Sequence, residues 1–149
     1  MDRILPSNEP AVGYLITNIS YGIRQNFGNL FAEYGVTYPQ SRVLLHLFSQ
    51  ADQKDVNQRE LEYALGIKAS SVSSLVRNLE KKDLIRCERM AKDTRNKRIL
   101  LTEQGSQLRK KLVEATGKAE KNLIRGLEPD QLAALRSSLV QLMENLEQE

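Results

Sequence analysis

The chain has 149 residues, with 22 Lys and Arg against 19 Asp and Glu, one Cys, one His and no Trp. That length fits a single domain whose core needs no staple, and one cysteine with one histidine excludes an internal disulfide or a structural zinc site. No apolar run approaches the ~20 residues that cross a bilayer, and the opening MDRILPSNEP has no apolar h-region, so a cytoplasmic protein without membrane, metal or cofactor partners is expected.

The net charge of +3 is unevenly spread. Between Lys68 and Arg98 ten basic residues face four acids, so that segment carries +6 and the remainder −3. A basic middle in an acidic frame suits a polyanion partner, against the plain alternative of a solvated charged face.

In chain order, apolar residues from Val12 to Tyr34 recur at steps of three and four, which predicts one helix capped by Ser7 or Asn8, with Pro10 in its first turn, and ended by Gly35. Thr37 with Gln40 three residues on forms a capping-box pattern for a second helix, with Val43, Leu44, Leu47 and Phe48 on its apolar face and Arg42, His46 and Ser49 opposite. A short third helix follows Asn57 and stops at Gly66. A fourth runs from about Ala69 to Lys82, with Val72, Leu75, Val76 and Leu79 on one side and Ser70, Ser73, Ser74, Arg77 and Lys81 on the other. Leu84–Arg89 and Ile99–Leu101 read as two strands joined by a polar, basic tip from Met90 to Arg98. Thr102 caps one long fifth helix, in which Gly117 costs up to ~1 kcal/mol relative to Ala. Pro129 opens the last helix, and its Leu132, Leu135, Leu139, Leu142 and Leu146 step as a heptad seam.

The expected fold class is therefore mainly α with a small β-hairpin wing: a winged helix-turn-helix with N- and C-terminal dimerisation helices. Residues 1–149 form one domain, with 8–36 and 103–149 as the helical dimerisation region and 37–102 as the DNA-binding region. The second helix of such a pair enters a major groove. Small side chains at Ala69, Ser70, Ser71, Ser73 and Ser74 allow close approach, Arg77 reaches a base edge or a phosphate, and Lys68, Lys81 and Lys82 suit the backbone. Lys92, Arg95 and Lys97 at the hairpin tip suit an adjacent groove.

These residues resemble the multiple-antibiotic-resistance regulator (MarR) family. Leu61-Glu62-Tyr63-Ala64-Leu65-Gly66-Ile67 resembles its positioning helix and turn, and Ser70 to Lys82 resembles its recognition helix. Asp93-Thr94-Arg95-Asn96-Lys97-Arg98 is similar to its wing, followed by the junction Leu101-Thr102-Glu103-Gln104-Gly105, and Leu127-Glu128-Pro129-Asp130 looks like the start of its final helix. The resemblance implies a homodimeric transcriptional regulator, a repressor rather than an enzyme, that binds a pseudo-palindromic double-stranded DNA operator and leaves it when a small aromatic or anionic effector binds. It implies that Arg95 enters the minor groove and that Asp93 holds it there. The chain departs from the pattern at Lys68, where a capping Ser, Thr or Asp is usual, at Ser74, where a longer side chain is frequent, and at Asp83, which replaces a Gly but tolerates a left-handed backbone.

Cys87 falls on a strand, as a small apolar residue whose neighbouring cations could lower its pKa toward oxidant sensing. Tyr14, Tyr34 and Tyr38 could line an effector pocket, or simply pack in core and dimer contacts. A winged-helix dimer serving as a protein-interaction module, or a regulator insensitive to ligands, is the alternative function.

Overall fold

The computed structural model describes residues 8–50, 55–90 and 93–148. Its elements are α1 (Val12–Ala32), α2 (Tyr38–Gln50), β1 (Val56–Asn57), α3 (Gln58–Leu65), α4 (Ala69–Lys81), β2 (Ile85–Met90), β3 (Asp93–Leu101), α5 (Glu103–Gln107), α6 (Arg109–Leu123) and α7 (Pro129–Glu147). Mainly helical, with a three-stranded antiparallel sheet of order β1-β3-β2, it has the expected fold class. The chain divides into two compact units, residues 1–116 and 117–149. Among the described residues no helix is long and apolar enough to cross a membrane.

The core of the first unit follows the helical periodicity. Val43, Leu44, Leu47 and Phe48 of α2 are buried, as are Leu61 and Leu65 of α3 and Val72, Val76 and Leu79 of α4. Phe31 is the buried residue of α1, and Leu112 and Ala115 those of α6. Phe27 stands edge-on to Phe31 and to Tyr38, with ring centroids 6.0 and 5.9 Å away. The N-terminal part of the α1 stripe is uncovered: Val12, Leu15, Ile16 and Ile19 are exposed, whereas Leu30 packs against the core.

Local chemistry sets most of the element ends. The capping box at α2 forms in both directions, with the Thr37 amide donating to Gln40 Oε1 at 3.1 Å and the Gln40 amide to Thr37 Oγ1 at 3.3 Å. Asn57 caps α3 by accepting from the Glu60 amide at 2.9 Å. Gly66 ends α3 at φ 64°, and Asp83 adopts φ 59°, the left-handed turn its short polar side chain permits. Glu128 and Gln131 form a capping box at α7.

Four expectations need correction. Helix α1 starts at Val12 behind an uncapped Ala11, because Pro10 pushes its predecessor away from helical backbone and Asn8 turns left-handed at φ 65°; Ser7 lies outside the described residues. The hairpin tip is shorter than its polar composition suggests. Strand β3 already begins at Asp93 and pairs Lys97 with Arg89, since ladder bonds are made by backbone and do not need apolar side chains. The two-residue β1 has no sequence signature; Val56 and Asn57 pair with Ile99 and Arg98 by tertiary placement. The long fifth helix is two, α5 and α6, because Leu108 closes a tighter i→i−3 bond onto the Gly105 carbonyl at 3.1 Å.

Gly105 sits where this junction is tightest. Thr102 Oγ1 donates to the Asp83 carbonyl at 2.6 Å and accepts from the Gly105 amide at 3.0 Å, while the Thr102 amide donates to the Leu84 carbonyl at 3.1 Å. These bonds press the first turn of α5 onto the chain entering β2, leaving no room for a Cβ at position 105 beside the Leu84 carbonyl oxygen.

In the second unit α7 buries no residue. Of its heptad seam, Leu135, Leu139 and Leu146 are exposed and Leu132 and Leu142 half-buried; Val140 and Met143 are exposed as well.

Candidate nucleic-acid interface

The pair α3 and α4 is held from three sides. Gly66 turns the chain, with its amide donating to the Glu62 carbonyl. The His46 ring on α2 lies 3.1 Å from Glu60 Oε2 at the start of α3, so His46 is half-buried and hydrogen-bonded. The Gln58 amide on α3 donates to Ser73 Oγ at 2.6 Å and to the Ala69 carbonyl at 3.3 Å on α4. With Val72, Val76 and Leu79 buried beneath it, α4 presents a fixed outer surface.

On that surface Lys68, Ala69, Ser70, Ser71, Ser74, Arg77 and Lys81 are exposed. Ser70, Ser74, Arg77 and Lys81 follow one another at helical spacing, small at the N-terminal end and cationic toward the C-terminal end. Lys68 makes no side-chain cap, so the first-turn amides of α4 keep their capacity for an outside acceptor. Ser73 departs from expectation: it is half-buried, turned toward α3 by Gln58. Leu75, expected on the buried face, is only partly covered.

The basic segment is also less free than its charge suggests. Lys82 Nζ donates to the Gly35 carbonyl and to Gln40 Oε1, both at 2.7 Å, and so ties the end of α4 to the α1–α2 turn instead of facing a ligand. Arg98 is held by Glu88 at 3.0 Å and by Asp55 at 3.3 Å, and these two carboxylates, Glu88 first, raise its pKa. Lys97 is exposed on β3. Asp93 and Arg95 lie on the β3 backbone, and Lys92 falls outside the described residues.

Hollows border α4 on both flanks. On one flank a cavity of about 730 Å³ is walled by Leu65, Ile67, Leu75 and Tyr38, with Arg24 and Arg42 as its cations and Ser71 and Ser74 at its α4 side. Of the three tyrosines expected there, only Tyr38 lines it. Tyr34 packs against the core, held there by the turn that follows α1, and Tyr14 lies further up α1. On the other flank a polar cleft between α4 and the sheet holds Gln58, Ser73, Arg77, Glu80, Cys87 and Lys97.

Cys87 is not activated by its neighbours. Burial first, and then the Glu80 carboxylate, push its thiol up to about 11 from 9.0, and Lys97 opposes them only weakly. The expected influence of nearby cations is thus outweighed. Because the folded value lies above the ordinary one, the fold favours the thiol, a preference lost as pH rises from 9.0 toward about 11. Iodoacetamide should therefore alkylate Cys87 at pH 7.5 about a hundredfold more slowly than a thiol of ordinary pKa, because the thiolate is the nucleophile. Mass-spectrometric labelling rates equal to those of free cysteine would contradict this.

A helix-turn-helix whose second helix exposes a small-to-cationic face, followed by a β-hairpin, defines the winged-helix class of regulator. Residues 25–112 match the model of the SarA/Rot transcriptional regulators, and the chain belongs to this family. Its relatives include the HTH-type transcriptional regulator MgrA of Staphylococcus aureus, 31% identical over 106 residues that make up 70% of each chain. Its structural neighbours include the S. aureus MepR–DNA complex, with a TM-score of 0.83, 27% identity and coverage of 91% of this chain and 96% of that one. A MarR-family regulator from Rhodococcus sp. RHA1 shares the fold at a TM-score of 0.77 and 24% identity, over 88% of this chain and 91% of its own. The protein is a transcriptional regulator of the MarR-like type, a family of regulators and not of enzymes.

Gln58 and Lys82 are the structurally telling residues that sequence reasoning missed or misread. Gln58 lies fifteen positions from Ser73, and no local pattern joins them. For Lys82 the only signal is its place just past the last turn of α4.

Proposed function

We propose that the protein is a cytoplasmic homodimeric repressor that binds a pseudo-palindromic operator in double-stranded DNA and is released from it by a small effector. The observation that carries this reading is the exposed face of α4, Ser70-Ser74-Arg77-Lys81, set on a helix whose opposite side is locked into the core. Each protomer reads one half-site, with centres about one helical turn apart. Ser70, Ser71 and Ala69 let the N-terminal end of α4 approach base edges and phosphates, with Arg77 on a guanine or a phosphate and Lys81 and Lys68 on the backbone. Lys97, Lys92 and Arg95 of the wing serve the adjacent minor groove, with Asp93 holding Arg95. The DNA in the complex of its relative MepR supports the polyanion partner. The uncovered apolar faces of α1 and of α7 support the dimer.

The cavity beside α4 is the effector site in this reading. Apolar walls with Arg24 and Arg42 suit a small aromatic carboxylate, with Tyr38 stacking or donating to it. Since Ser71, Ser74 and Leu75 form one wall, a ligand there acts on the recognition helix itself, and release follows if it fits the DNA-bound arrangement less well.

The test uses a duplex selected by the wild-type protein from a random-sequence pool. Arg77→Ala should weaken binding by about 10- to 100-fold, the worth of a charged or bidentate contact, and relax preference at one base pair. Lys81→Ala should weaken binding nearly uniformly and reduce the salt slope by about one. Unchanged affinity in both variants would sink the docking model. Binding indifferent to salt would favour the protein-interaction reading, which rests on the serine-rich face of α4.

A further inference from the structure

The Gln58–Ser73 contact has a chemical consequence that reaches beyond holding two helices together. Carbonyl oxygens only accept, so the Ala69 carbonyl 3.3 Å away fixes which end of the Gln58 amide faces α4. The nitrogen has two hydrogens, one for Ala69 and one for Ser73 Oγ at 2.6 Å. Ser73 is thereby an acceptor toward Gln58, and its own hydroxyl hydrogen remains to be donated.

A helical hydroxyl can give that hydrogen to a carbonyl three or four residues back, as Ser41 and Ser49 do to the Tyr38 and His46 carbonyls at 2.6 and 2.7 Å. Other hydroxyls of this chain bond back in this way: Thr17 to the Gly13 carbonyl at 2.8 Å, Thr116 to the Leu112 carbonyl at 2.7 Å. For Ser73 the carbonyl four residues back is that of Ala69, whose two lone pairs are engaged by the helical amide of Ser73 and by Gln58, and the Ser70 carbonyl three residues back does not take the hydrogen either. Among the described residues no acceptor takes the Ser73 hydrogen. Ser73 lines the polar cleft between α4 and the sheet, together with Arg77, Glu80 and Lys97.

We infer that Gln58 is a positioning residue for DNA recognition: by occupying both Ser73 Oγ and the Ala69 carbonyl, it makes Ser73 a dedicated hydrogen-bond donor toward an acceptor oxygen or nitrogen of the operator. This rests on the DNA-binding reading above. Without Gln58 the Ser73 hydrogen turns back to Ala69, and Ser73 offers the DNA only lone pairs, which a phosphate oxygen or a guanine O6 or N7 cannot use.

A double-mutant cycle tests it on the duplex selected by the wild-type protein, with thermal unfolding as the check on folding. Ser73→Ala should weaken binding about tenfold, the worth of one hydrogen bond whose partner is left unsatisfied, and Ser73→Thr should restore it to within about threefold. Gln58→Met should lose as much as Ser73→Ala, and Gln58→Met with Ser73→Ala together should lose little more than either alone. Gln58→Lys, which again places only donors at that point, should keep the ratio of affinities for selected over scrambled duplex within about threefold of wild type. A loss uniform across duplexes assigns the acceptor to a phosphate; a loss confined to duplexes carrying one base pair assigns it to that base. An unaffected Ser73→Ala, a Gln58→Met loss of the same size in both backgrounds, or a Gln58→Lys ratio as low as that of Gln58→Met overturns the inference. Selection of a preferred duplex followed by one of these results sinks this inference alone. No sequence preference by the wild-type protein sinks the DNA-binding reading with it.

Discussion

Alanine at position 105 should destabilise the protein by more than about 3 kcal/mol, the cost of forcing extra volume into a site with no room to give. The sign is the informative part, because Gly→Ala inside a helix normally stabilises, by up to ~1 kcal/mol. A Cβ at position 105 would collide with the Leu84 backbone carbonyl and lie 3.3 Å from Leu101 Cδ2. The carbonyl cannot swing aside, since it accepts from the Thr102 amide, and Thr102 in turn is anchored on the Asp83 carbonyl. Gly117 on α6 is the internal control: a Cβ there meets nothing within 4 Å. Gly117→Ala should stabilise by up to ~1 kcal/mol while Gly105→Ala lowers the melting temperature by roughly 10 °C, at 2–4 °C per kcal/mol for a chain of this size. Equal and positive effects at both positions, measured by calorimetry, would show that the α5 junction is looser than described.

Replacing Leu135 and Leu139 together by Glu should give a monomer and reduce operator affinity at least about a hundredfold. Both side chains are about 40% exposed, 42% and 39%, so charge there costs the fold of a single chain little. In the proposed dimer this face meets another copy, so two carboxylates there would be desolvated without partners, which a dimer does not tolerate. A monomer engages one half-site and forfeits the effective concentration that links the second, worth 10²- to 10⁴-fold without any new contact. Sedimentation equilibrium measures the mass, and anisotropy measures the affinity on whole and half operators. A doubly substituted protein that is still dimeric would move the interface away from α7.

The parts of this fold that were legible in the sequence are those written in local code. Thr37 with Gln40, Asn57 with Glu60, and Gly66 each place an element end through contacts within a few residues, and each forms as its pattern predicts. The periodicity of α2 and α4 picked out buried residues because a helix repeats its faces every 3.6 positions whatever surrounds it. The extent of β3 was not legible. Its Asp93–Arg98 stretch is polar at every position, so the sequence there carries no alternation of apolar and polar residues, while the ladder itself is made by backbone. The break at Leu108 was hidden because α5 starts pressed through Thr102 and Gly105 onto Asp83 and Leu84, residues some twenty positions earlier, and Leu108 then closes onto the Gly105 carbonyl.

The candidate interface divides along the same line. By itself the sequence determined the class of protein, through the order of its elements and their family resemblance, and it determined the helix that carries the outer serines and cations and the leucine seam of the last helix, because periodicity fixes which side chains share a face. Only the tertiary structure decided which of those side chains are available. It committed Lys82 to the α1–α2 turn, Arg98 to Asp55 and Glu88 and Cys87 to Glu80, it fixed Ser73 as an acceptor toward Gln58, and of three tyrosines it brought Tyr38 alone to the cavity. Each of these pairings spans from seven to more than forty positions along the chain. Hydrogen bonds and ion pairs act over about 3 Å in space, and a one-dimensional pattern does not record which distant groups the packing of the helices brings within that reach.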